Sequence, residues 1–433
     1  MASYLIFSTV TRSRRRLAAA LLAGLAAGVG SIGVPGLAPV ASAFADGEKP
    51  GARTVRPEIG KPIQAAADLI KHKHGREALE KVREADAVPN KTPYEAYVIE
   101  LTRGSAASTV GNASEAARAF ETAANSPAAS AGEKLQFLAG AANQYYSAKN
   151  YAKSAEVAAR YFKDGGAEKA IRTLYVQALY LSNNYAAAAK EVLILIQTEE
   201  QAGKVPPEDQ LQLLQSAYYK QHDTAGYANA LEKLVTYYPK KDYWLDVIES
   251  VKSRSGFSER LSLDLARLKL ATGTMRSANE YVEAAQLSLQ AGLPAEAKKF
   301  IDQGYAAGVL GTGPEADRHR RLKDMAAKNL AEDKAALGQD DAKLAASNDG
   351  TALLSTGLDY VLNGNAHKGL EMMELGIRKG GLKRPDDARL QLGYAYQVAG
   401  QNQKAIQVFK TVHGTDGAAS LARLWILHLG RGA

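Results

Sequence analysis

Apolar residues recur at i, i+3, i+4 and i+7 along almost the whole chain from Pro62 to Leu429, the spacing that gathers them on one face of an α-helix. The helical stretches come in pairs, each split by a short turn. Residues 62–88 form the first pair, stopped at Pro89 because proline cannot continue a helix. Further pairs span Tyr94–Ser126, Gly132–Asp164, Glu168–Gln201 and Pro207–Pro239. Lys240–Gly273 still reads as two helices but lacks small packing residues, and the pairing returns at Glu280–Leu310. Residues 315–347 read as a long, charged helix with a break at Gly338. Thr351–Gly380 and Asp387–Val412 are two more pairs, and Gly417–Leu429 closes the array with Trp425 packed back on the last of them. No apolar/polar alternation is long enough for a strand. The fold class expected is all-α.

The last full pair, DARLQLGYAYQVAGQNQKAIQVFKTV, shows the packing logic most clearly. Gly393 and Ala405 are small where two antiparallel helices approach. Leu392, Tyr396 and Phe409 fill the space between them, and Gly400 sits in the turn. These spacings resemble the tetratricopeptide repeat, a helix–turn–helix unit of roughly 34 residues that cannot bury its apolar face alone. Weaker copies follow the same plan, such as Gly104, Gly111, Ala116 and Phe120, or Leu179, Tyr185, Ala188 and Val192. The resemblance covers most of residues 62–412. It implies an α-solenoid, a right-handed superhelix whose concave groove is lined by the first helix of each pair and binds a protein or peptide partner.

Aligning the third, fourth and fifth pairs brings Tyr146, Tyr180 and Tyr219 to one repeat position, 34 and 39 residues apart. Asn143, Gln177 and Ser216 stand one turn earlier, with Thr173 and Gln212 on the same helices. In the resembling superfamily these positions face the groove. Tyrosine offers contact area at low entropic cost, and amides pair with peptide backbone, so these eight residues are the expected peptide- or protein-binding groove. The superfamily's carboxylate clamp needs Lys and Arg; Asn143 fits one clamp position, but Ala139, Thr173 and Gln177 occupy its neighbours. A looser resemblance, around Tyr243–Trp244 and residues 289–310, is to periplasmic repeat proteins that accompany TonB-type energy-transducing systems.

Composition and charge sharpen the compartment. The 433 residues carry a formal charge of +8. Four of the 54 basic residues lie in residues 1–43, which hold no acid, so the remainder is only mildly basic and its charges are interspersed. That pattern lacks the basic stripe of a nucleic-acid binder. The chain has no Cys, which excludes disulfides, thiolate chemistry and a lipidated N-terminal cysteine. An Arg cluster at 12–16, a short apolar run at 17–32 and the sites Ala41-Ser42-Ala43 and Ala43-Phe44-Ala45 describe a secretory signal peptide. Cleavage is expected after Ala43 or Ala45, with export through Sec; Ser13–Leu17 also resembles a twin-arginine signal. The apolar run is short of the roughly 20 residues a membrane helix needs, so no stable span is expected after cleavage. The expected organisation is a signal peptide at 1–43, a disordered linker at 44–61 and an N-terminal array at 62–239. An irregular helical segment follows at 240–347, then a C-terminal pair with its capping helix at 348–433.

Enzyme motifs find little support. Gly311-Thr312-Gly313-Pro314-Glu315-Ala316 has the letters of a dinucleotide loop, but that loop must follow a strand. His72 and His74 are two apart and do not share a helix face, so no metal is expected, and no cofactor. Arg318, Arg320, Arg321 and Lys323 share their helix with acids and read as a solvated face. The sequence therefore predicts an exported, periplasmic, non-enzymatic scaffold or adaptor for a cell-envelope partner. The alternative is an envelope enzyme, or an enzyme's accessory subunit, with its site in 240–347.

Overall fold

The computed structural model describes residues 53–347 and 349–430. The leader, both cleavage sites and residues 44–52 of the expected linker lie outside that range. Among the described residues there are twenty-one α-helices and no strand. They run as α1 (Pro57–Lys71) and α2 (Gly75–Asp86), α3 (Pro93–Thr109) and α4 (Ala113–Ala124), α5 (Ala131–Ser147) and α6 (Tyr151–Lys163), α7 (Lys169–Leu181) and α8 (Tyr185–Gln201), then α9 (Glu208–Lys220) and α10 (Thr224–Tyr237). The order continues with α11 (Lys241–Lys252) and α12 (Ser262–Ala271), α13 (Ala278–Gln290) and α14 (Pro294–Ala306), α15 (Ala316–Ala336) and α16 (Asp341–Ala346). It ends with α17 (Gly350–Leu362) and α18 (Ala366–Lys379), α19 (Pro385–Val398) and α20 (Asn402–Phe409), and α21 (Ala418–Leu429).

The same local chemistry builds pair after pair. Thr92, Ser130 and Ser277 start α3, α5 and α13 with capping boxes to Glu95, Glu133 and Glu280, which satisfy orphan N–H groups at the helix start. The turn inside four of the pairs passes through one left-handed residue, Gly111, Lys149, Asn183 or Gly364, followed by Asn112, Asn150, Asn184 or Asn365 as the next N-cap. In each of these turns the asparagine N–H also closes onto a carbonyl of the preceding helix, as Asn150 does onto Tyr145 at 2.9 Å. The small positions act as expected. A Cβ on Gly104 would lie 2.5 Å from the Phe120 ring, and one on Gly393 would lie 2.5 Å from Phe409.

Helix α1 starts at Pro57, five residues ahead of the expected start near Pro62. The cause is Arg56. Its guanidinium and backbone N–H grip Glu95, with Nε–Oε1 at 2.8 Å and NH2–Oε2 at 3.0 Å. The Arg56 hydrogen bond, with those from the Arg56 and Thr92 backbone, outweighs burial and holds the Glu95 carboxyl down at about 2. Residues 56–61 are thus docked structure rather than linker.

The chain divides into two compact units, one ending at Thr224 and one beginning at Ala225. The sequence expects breaks after 239 and 347 instead. Glu232 on α10 pairs with Arg423 on α21, which ties α10 into the second unit. Residues 240–347 do not stand apart from 348–433 either, because the C-terminal helices return onto them. Trp425 of α21 stacks on Phe409 at 5.9 Å, as expected, and His428 of the same helix meets Trp244 of α11 edge-on at 5.8 Å. The Ser258 N–H donates to the Asp416 carbonyl at 2.9 Å. The second unit is closed on itself, not an open run of pairs.

Candidate functional site

In the first unit, the expected groove residues come from α5, α7 and α9. Tyr146 and Tyr180 are half-buried and held alike: each ring sits edge-on against the first residue of its partner helix, Tyr151 at 5.3 Å and Tyr185 at 5.2 Å. The Tyr180 hydroxyl shares a hydrogen bond with Ser216 Oγ at 2.7 Å, so the tyrosine of one pair is tied to the hydroxyl of the next. Tyr219, at the third position, is 40% exposed. Asn143, Thr173 and Gln212 are half-buried. The Thr173 hydroxyl donates back to the Lys169 carbonyl at 3.1 Å, and Gln212 approaches Glu208 at 3.5 Å.

Gln177 differs from the rest. It is only 3% exposed, and neither atom of its amide has a hydrogen-bond partner. The Gln210 Oε1 atom is likewise buried and unpartnered. Both line a crevice of about 10 Å³ with Thr173, walled by Val192, Leu195 and Leu213. That is roughly the room one water needs. Repeat alignment places Gln177 on the inner face; the crossing of α8 and α9 buries it there.

The second unit holds a charged cluster that sequence reasoning missed. Arg267 of α12 donates to both oxygens of Glu296 on α14, at 2.9 and 2.7 Å, and to Asp264 at 2.8 Å. The Tyr394 ring of α19 lies 4.6 Å from the guanidinium, and its hydroxyl donates to Glu296 at 2.7 Å. All four residues are buried. Burial pushes the Asp264 carboxyl up and outweighs the pull of Arg267. Burial also raises Tyr394, and the Glu296 carboxylate adds to it. The one sequence signal was a helix, LSLDLARLKLA, carrying Asp264, Arg267 and Lys269 among leucines.

The Arg267 cluster floors a cleft of about 730 Å³. Beside it Arg260 grips Asp387 through two hydrogen bonds, at 2.8 and 2.9 Å, and also pairs with Asp416. Arg260, Asp264, Arg267 and Asp387, which line the cleft, are engaged with one another or with Glu296 and Asp416. Their evident work is to fix α12, α14 and α19 in place, since breaking a buried pair leaves an uncompensated charge.

Other candidate features stand where their sequences put them. Gly311–Ala316 is a loop between α14 and α15, so it follows a helix. His72 and His74 flank the left-handed Lys73 in an exposed turn. Arg318 and Arg320 pair with Glu315 and Asp317 on the surface of α15. Among the described residues, no helix is long and apolar enough to cross a membrane.

No family model matches this chain, and no curated protein matches it. Similar solved structures include the Naa15/Naa10 complex bound to HypK-THB, at 15% identity over 84% of this chain with a TM-score of 0.26. This chain spans 59% of the length of that one. The P58(IPK) TPR domain matches at 11% identity over 86% of this chain and 97% of its own, with a TM-score of 0.21. Yeast Tom70 matches at 10% identity over 84% of this chain and 95% of its own, with a TM-score of 0.23. By its own geometry, from the capped helix pairs to the glycine–phenylalanine contacts between them, each unit is all-α among the described residues and built of helix pairs like those the repeat resemblance implies.

Proposed function

We propose that the protein is a non-enzymatic scaffold whose first unit binds an extended peptide or protein segment across α5, α7 and α9. The observation that carries this reading is the repeated tyrosine geometry. Tyr146 and Tyr180 are braced alike by the first residue of the partner helix, and Tyr219 has the same repeat position on α9 and is exposed. Rings held this way lose little freedom on binding, which lowers the cost of ordering an interface. Asn143, Thr173, Gln212 and Ser216, on the same three helices, would supply the polar groups that pair with peptide backbone. The sealed Gln177 contributes through its crevice, which has room for about one water at its unpaired amide.

A cell-envelope location belongs to the same proposal and rests on the leader pattern in residues 1–45. Mass spectrometry should find a mature N-terminus at Phe44 or Asp46; an intact Met1 overturns the location while leaving the binding reading in place. Service to a TonB-type system is a narrower form, supported by the resemblance around Tyr243–Trp244, although Trp244 is itself core. Replacing Tyr146, Tyr180 and Tyr219 by Ala together tests the binding reading. Partner capture from the envelope should be lost while the helical circular-dichroism signal stays intact. A folded triple variant that still captures the partner moves the site elsewhere.

A further inference from the structure

We infer that residues 327–346, the end of α15 and all of α16, form a pH-released strap, docked on α17 and α18 in mild acid and let go as pH rises to neutrality and beyond. Little apolar packing holds this segment. The buried residues of α15 are His319, Leu322 and Ala326, all ahead of the strap, and α16 has none. From Ala327 to Ala346 no residue is buried, and Leu330, Leu337 and Leu344 are only half-buried. Polar anchors fix its far end. Asp341 accepts from the Tyr360 hydroxyl at 2.6 Å and pairs with Lys368, and Lys379 donates to the Ala345 carbonyl at 2.9 Å. Gly338, left-handed at φ 100°, divides α15 from α16 with a bend that glycine makes without strain. Once undocked, a helix end of this length is marginal in water.

The contact that titrates is between two acids. Asp333 of the strap meets Asp359 of α17 around one amide: Asn363 Nδ2 donates to Asp359 at 3.0 Å and to Asp333 at 3.2 Å. Asp359 is only 6% exposed. Like charges at such a contact repel unless one carboxyl keeps its proton and donates it to the other. Burial first, and then Asp333, accordingly hold the Asp359 carboxyl up at about 7. The charges on the elements packed against α17 are engaged elsewhere or exposed. On α18, Lys368 is held by Asp341, Lys379 by the Ala345 and Ser347 carbonyls, and Arg378 by Glu374. On α19, Arg389 pairs with Asp386, and on α14, Lys298 pairs with Asp302. Lys334 and Lys343, on the strap itself, are exposed. Because the docked value lies above the ordinary 3.8, docking is favoured in acid. The docked-to-released ratio should fall about a hundredfold between pH 5 and pH 8 and level off beyond. Release uncovers the end of α17 and the first turn of α18, around Tyr360 and Lys368. The strap belongs to the second unit and stands or falls independently of the tyrosines of the first.

The test is a distance measurement on the full chain. There is no native Cys, so a K343C/E371C pair, at exposed positions of α16 and α18, takes two spin labels without further change. Pulsed dipolar spectroscopy should give a single narrow distance at pH 5. A longer, broader component should grow between about pH 5.5 and 7.5 and level off by pH 8, following the single-proton linkage. Trp244 and Trp425 are both buried in the second unit, and their fluorescence should stay that of the folded chain throughout. Asp333→Asn removes the facing charge from the strap and Asp359→Asn removes it from α17. Each variant should keep the narrow distance up to pH 8.5. One unchanged distance across the range in the parent pair overturns the inference. So does the same release in either folded variant, or a lengthening that appears only with loss of the native tryptophan signal.

Discussion

Gly357 on α17 and Gly369 on α18 face each other backbone to backbone: a Cβ on Gly357 would lie 2.6 Å from the Gly369 carbonyl oxygen. Gly350 and Gly376 repeat the contact, again at 2.6 Å, nearer the other end of the pair. Where a glycine lies under a side chain, that side chain can turn aside. Backbone cannot. Gly357→Ala is expected to cost roughly 1–3 kcal/mol through overpacking. Denaturant unfolding checks it, and a variant with wild-type midpoint contradicts the close approach.

A gain is expected at Lys149. This residue makes the α5–α6 turn with φ at 60°, a region where an L side chain costs roughly 1–2 kcal/mol and glycine does not. Glycine loses roughly 0.5–1 kcal/mol of that advantage through its greater freedom when unfolded. Lys149→Gly should therefore stabilise the first unit by about 0.5 kcal/mol, read as a higher denaturant midpoint. A lower midpoint would show that the lysine side chain supplies something the turn needs.

The second unit should be less stable at alkaline than at mildly acid pH. Burial, and then the nearby Asp333 carboxylate, raise the Asp359 carboxyl from the ordinary 3.8 to about 7. Asn363 Nδ2 joins the pair, donating to Asp359 at 3.0 Å and to Asp333 at 3.2 Å. Because the folded value is the higher, the stabilising contribution is complete below the ordinary carboxylate range. It is lost as pH rises through about 7. Melting followed from pH 5 to pH 8.5 should show this decline, and Asp359→Asn should flatten it. An unchanged slope in that variant would assign the decline to another group.

Arg267→Met should destabilise the second unit by roughly 3–5 kcal/mol, the scale for removing one partner from a buried ion pair. The variant leaves Glu296 and Asp264 facing each other without their cation. Loss of less than about 1 kcal/mol, the scale of an exposed pair, would mean that water reaches the cluster.

The repeat itself was legible because its grammar is local. Gly393 and Phe409, or Gly104 and Phe120, are set sixteen residues apart by the length of a helix and a turn, so periodicity finds them. The return of α21 was not legible beyond the packing of Trp425 on Phe409. Arg267 meets Glu296 across 29 residues, and Tyr394 meets Glu296 across 98; no periodic signal links residues brought together by the chain's path. At the candidate site, alignment located Tyr146 and Tyr180 on equivalent faces, and the structure braces them equivalently. It did not show that Gln177 is sealed, because depth depends on how Val192, Leu195 and Leu213 of the neighbouring helices cover that face. The early start of α1 hid in Arg56, whose partner Glu95 belongs to the next pair.

Site-specific photocrosslinking in cells tests the binding face most directly. A benzophenone amino acid at Tyr219, exposed on α9, is compared with one at Glu156, exposed on α6. The scaffold reading predicts a discrete adduct from position 219, the same species from position 146, and none from position 156. An adduct that forms from position 156 while positions 219 and 146 stay silent would contradict it.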